Sequence, residues 1–205
     1  KNQDACIASG LTLYGWESYN ISGALEGIYA SVIDSTSGAV FQSATLIDAT
    51  AINPRCIRLG PNPTLFYLDT SASPYVMKTV QVNINNPIEF NSSNTIVSTV
   101  NATNSNYDVA INSADADAGN AVFAYTSSAS NTLGIGYITT EGVVGGPATG
   151  FPAVVTIGST NSDDLITLCV DRVSTNPAFY ERIYVAYASR TCLLYTSPSP
   201  RDRTR

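Results

Sequence analysis

The stretch "TLFYLDT", residues 64–70, decides the fold, because three other segments share its pattern. They are "TLYGWES" at 12–18, "AVFAYTS" at 121–127 and "IYVAYAS" at 183–189. Stacking the four puts Trp16, Leu68, Tyr125 and Tyr187 in one column and Leu13, Leu65, Val122 and Tyr184 in another, each segment leaving through Ser, Thr or Asp. An apolar strand precedes each one: "ACIASG", "RCIRLG", "YDVAINS" and "LITLCVD". The connection between the two lengthens along the chain, as expected when strands hold their register and loops take the insertions. After each hairpin comes a longer alternating strand ("GIYASVID", "VMKTVQVN", "LGIGYITT") and then a weaker one ("ATLID", "NTIVSTV", "AVVTIG"). The unit is therefore four strands in about 52 to 62 residues.

Helix signals are almost missing. Apolar residues alternate in short runs bounded by Gly, Pro, Asn, Asp and Ser, which is the strand period, and no run sustains the three-four spacing of a helix. The expectation is an all-β chain. Four-stranded antiparallel units at this period predict a β-propeller-like array, in which flat sheets bury their faces against their neighbours. β-sandwich repeats are the alternative, although immunoglobulin-like units need about 100 residues and some seven strands. Three units and part of a fourth make an incomplete ring, since propellers typically close with four to eight blades, and a sector of this kind leaves sheet faces uncovered. The run "YASVIDSTSGAV" following "LYGWES", and "LGIGYITTEG" following "VFAYTSSAS", resembles the degenerate propeller repeats of bacteriophage virion and tail proteins and of large bacterial secreted proteins. That resemblance implies an extracellular or virion-surface scaffold that presents loops to glycans or proteins.

Composition narrows the chemistry. Hydrophobic residues are 44 % and charged ones 13 %, enough apolar material for a core and too little charge for a disordered chain. The net charge of -6 argues against nucleic acid as a partner, and no apolar run approaches the eighteen or so residues of a membrane-spanning helix. Histidine is absent from the sequence, which removes Ser-His-Asp and Cys-His catalysis and histidine metal sites from these residues. Cys6, Cys56 and Cys169 each sit in an apolar stretch and are expected as small core residues.

Carboxylates are the remaining catalytic candidates. Glycoside hydrolysis needs two of them across a sugar, and Glu17, Asp34, Asp69 and Asp171 stand at strand exits where they could line one rim. Their plainer role is in turns and solvated strand ends, so no catalytic residue is assigned. A carbohydrate-active propeller enzyme using such carboxylates is the alternative function. In "NSADADAGN", Asp115 and Asp117 alternate with alanine before Gly119 and offer a weak calcium candidate, though a calcium loop usually supplies more oxygen ligands. No other cofactor is expected. Trp16, Tyr14 and Tyr19 could stack on sugars, but the repeat makes Trp16 a core residue first.

The end "TCLLYTSPSPRDRTR", residues 191–205, departs from all of this. Its Cys192 to Asp202 run resembles, residue for residue, the translation of a transposase-type sequencing adapter. Residues 1–190 are accordingly expected to be the propeller sector, with repeat strands near 12–18, 64–70, 121–127 and 183–189. Residues 191–205 are expected to be a non-native, disordered tail, and the whole to belong to a larger chain or assembly. The function expected is a non-enzymatic binding or structural module of a virion-surface or secreted protein.

Overall fold

The computed structural model describes residues 2–85, 87–103, 105–111, 121–129, 132–140, 144, 153–156, 166–171 and 182–187. Among them the regular structure is all strand, in four antiparallel sheets that follow one another along the chain. Sheet 1 is a meander of β1 (Gln3–Ala8), β2 (Leu11–Tyr19), β3 (Leu25–Asp34) and β4 (Val40–Asp48). Sheet 2 runs through β5 (Ala51–Leu59), β6 (Asn62–Asp69), β7 (Tyr75–Asn83) and the short β8 (Glu89–Phe90), while β9 (Asn94–Val100) also pairs with β7. Sheet 3 repeats the meander with β10 (Tyr107–Ile111), β11 (Ala121–Thr126), β12 (Thr132–Ile138) and β13 (Ala153–Thr156). Sheet 4 contains β14 (Ile166–Asp171) and β15 (Arg182–Tyr187).

The first hairpin is set by its turn. Ser9 and Gly10 both have positive φ (50° and 75°), the conformation of a two-residue turn whose twist matches that of the strands it joins. Ala8 consequently faces Leu11, and the ladder continues through Cys6 opposite Leu13 to Gln3 opposite Trp16. Gly60 and Pro61 form the corresponding turn of sheet 2, with Leu59 facing Asn62. Counting from these two turns, Trp16 corresponds to Tyr67.

The sheets stack with first strand against first strand: β1 packs on β5, β5 on β10, and β10 on β14. Between sheets 1 and 2 lies a core of Leu11, Leu13, Ile28, Ala30 and Val32 from one side and Cys56, Leu65, Tyr67, Val80 and Val82 from the other. Sheet 2 turns its opposite face, with Leu59, Phe66, Leu68 and Met77, onto Tyr107, Val109, Phe123 and Tyr125 of sheet 3. Sheet 3 then places Val122 and Ala124 against Ile166 and Leu168 of sheet 4. Sheets 2 and 3 are thus buried on both faces, and nearly every residue of β6 and β11 is buried.

This packing corrects the column drawn from sequence. Tyr67 and Tyr125 both face the preceding sheet, whereas Leu68 faces the following one. The aromatic column is therefore Trp16, Tyr67 and Tyr125. A one-residue slip in a strand exchanges its two faces, and the slip entered at "TLFYLDT".

Glycine makes room for the aromatic layer of sheet 3. Phe123 lies directly across from Gly136, and Tyr125 across from Gly134, and a Cβ at either glycine would collide with the facing ring. The rings stack on one another at 6.0 Å between centroids. Overpacking of this kind costs about 1–3 kcal/mol. Gly134→Ala and Gly136→Ala are each expected to lower unfolding free energy by that amount in urea titration, and the double variant by less than the sum, because both changes displace the same stacked pair.

Candidate functional site

The four carboxylates singled out from sequence do not share a rim. Asp34 faces Leu11 beside the first hairpin turn, whereas Glu17 lies toward the other end of β2, opposite Ile28. Asp69 ends β6 opposite Ala51, at the same end as Glu17. Asp171 ends β14 opposite Arg182, near the β14–β15 connection. Two stand at each end of the stack.

Each carboxylate whose side chain is described is already engaged. Asp34 accepts hydrogen bonds from Thr36 N (2.9 Å), Ser37 N (2.6 Å) and Ser37 Oγ (2.9 Å), so it closes the turn after β3. Those donors hold its carboxyl below the ordinary value. Asp69 is buried and ion-paired with Lys78 Nζ at 2.7 Å, while its other oxygen accepts from Thr50 Oγ1 and Ser71 N, each at 2.9 Å. Burial alone would raise its pKa, but the ammonium and these donors outweigh that and hold it well below the usual carboxylate range.

Glu17 is the most elaborately held. It is 9 % exposed and points into the interval between sheets 1 and 2, where Oε1 accepts from Asn53 N (2.8 Å) and Asn2 Nδ2 (3.0 Å) and Oε2 accepts from Tyr19 OH (2.8 Å). Burial pushes its pKa up, and the hydrogen bonds together bring it below 4.5. Asn53 has a positive φ of 55°, which Asn tolerates better than most residues, and lies where the β5–β6 register shifts between Ile52 and Arg55. The bulge aims its N–H back at Glu17 and its carbonyl forward at Tyr107, whose hydroxyl donates to it. Three consecutive sheets are joined through one residue. A catalytic acid needs a raised pKa and an adjoining space for substrate; Glu17 has a lowered one and its space is filled.

Two more aspartates reach between sheets. Asp4 Oδ2 accepts from Cys56 N at 2.9 Å, and Asp108 Oδ2 accepts from Leu168 N at 2.8 Å, each from a first strand to the next first strand. Arg55 Nε lies 3.9 Å from Asp108 Oδ1. Sequence reading missed these aspartates, although both occupy the same place in the repeat, two residues before Cys6 and Ala110.

Asp115 and Asp117 lie outside the described residues, and so does the 191–205 tail. Among the described residues no three His, Cys, Asp or Glu side chains gather as metal ligands. Cys6 and Cys56 lie within the sheet 1–sheet 2 core as free thiols. Burial, the largest influence, pushes Cys6 up to about 12 and raises Cys56 as well. A thiol so raised is no nucleophile at neutral pH.

Among the described residues, the face of sheet 1 turned away from sheet 2 stays open. Over β1 and β2 lies a cavity of about 330 Å³ lined by Gln3, Asp4, Ala5, Tyr14, Gly15 and Trp16. Trp16 pairs across the strands with Tyr29, their rings stacked at 6.3 Å and 21°. Sequence reading placed Trp16 in a core; it is half-buried, on the face that no other sheet covers. Compared with models of known protein families, with curated proteins and with solved structures, the chain shows no match.

The buried network predicts a defined pH profile. Glu17 and Asp69 have folded pKa values below their ordinary 4.5 and 3.8, so their stabilisation is complete above about 4.5 and is lost as pH falls through the lowered values. Cys6 and Cys56 are raised above 9.0, so their neutral forms favour folding below about 9 and that advantage disappears as pH rises past it. Urea midpoints are expected to form a plateau between these limits and fall on both sides. Glu17→Ala, which strands several donors, is expected to cost about 2 kcal/mol or more, and Tyr107→Phe about 1 kcal/mol, with the acid limb flattened only in the Glu17 variant.

Proposed function

We propose that the chain is a non-enzymatic structural and binding module, a sector of a β-propeller-like array within a larger virion-surface or secreted assembly. The observation that carries this reading is the stacking: successive antiparallel sheets pack first strand on first strand, with both faces of sheets 2 and 3 covered. A two-sheet sandwich covers one face of each sheet, so burial of both faces supports the propeller-like arrangement over sandwich repeats.

The carboxylates support a scaffold in the same way. Glu17 and Asp69 are held ionised by structural partners, Asp34 closes a turn, and none of the three flanks the cavity on sheet 1. The chain is sparing with charged residues, at 13 %, and rich in Ser, Thr, Asn and Tyr, a composition suited to many modest hydrogen bonds with a glycan or protein partner.

The test separates binding from turnover. Incubated with a panel of neutral and acidic oligosaccharides, the protein is expected to release no reducing ends, while glycan-array or pull-down signals persist unchanged in Asp34→Asn and Asp171→Asn. Turnover by the parent that disappears in Asp34→Asn, Asp69→Asn or Asp171→Asn would establish the glycosidase alternative in its place.

A further inference from the structure

We draw no further inference here: the strongest candidate, the apolar face of sheet 1 turned away from sheet 2 with its cavity beside Tyr14 and Trp16, carries none because nothing in the structure shows what covers it.

Discussion

The alignment of the stack depends on one buried carboxylate. Apolar contacts between sheets are non-directional and allow one sheet to slide on another, but the Glu17 carboxylate accepts bonds from Asn2, Tyr19 and the bulged Asn53 at fixed geometry. Asn53 in turn takes the Tyr107 hydroxyl, whose pKa burial raises well above its ordinary 10.0, so it remains a donor. Its side chain also donates to Ser105 O at 3.3 Å, a second tie to the segment entering sheet 3. Removing the carboxylate would strand several buried or half-buried donors at once. That cost, more than any attraction it adds, is what makes the arrangement specific.

A second line of polar contacts runs along the first strands. Asp4 and Asp108 each secure an N–H of the next sheet, and between them Arg55 stands close enough to Asp108 for partial charge compensation. A first strand pairs with a neighbour strand on one side only, so its remaining N–H groups need acceptors where sheets converge. Short aspartate side chains meet that need without filling the space that Leu11, Leu13 and Cys56 use for packing. The low charge of the chain is consistent with this economy: several of its few carboxylates are used for internal hydrogen bonds.

The strand pattern was legible because half-buried antiparallel strands alternate with a period of two, and sheets 1 and 3 have the four strands expected, whereas in sheet 2 β7 pairs with both β8 and β9. The register of the second unit was not legible, because "TLFYLDT" is apolar on both faces. A strand buried on both sides carries no alternation to say which way it points. The turns would have resolved it: aligning Ser9-Gly10 with Gly60-Pro61 pairs Trp16 with Tyr67. The roles of Glu17 and Asp69 were less accessible still. Glu17 meets Asn53 and Asp69 meets Thr50 through contacts between residues distant in sequence, and nothing local to "GWES" or "YLDT" announces them. One local sign existed in Asn53-Pro54, since proline within a strand marks an edge or a bulge, and here it follows the residue on which three sheets converge.

The uncovered face of sheet 1 follows from the same geometry that buries the others. A flat four-stranded meander has two faces of similar size, and its opposite edges remain available only for pairing, so stacking is the one way to bury both faces. Interior sheets meet that condition through their neighbours, and nearly every position of β6 and β11 is buried. Sheet 1 has a neighbour on one side and yet keeps an aromatic pair and branched aliphatic residues on the other, where a solvated face would alternate toward Lys, Glu or Thr. Its sequence is therefore that of a covered sheet.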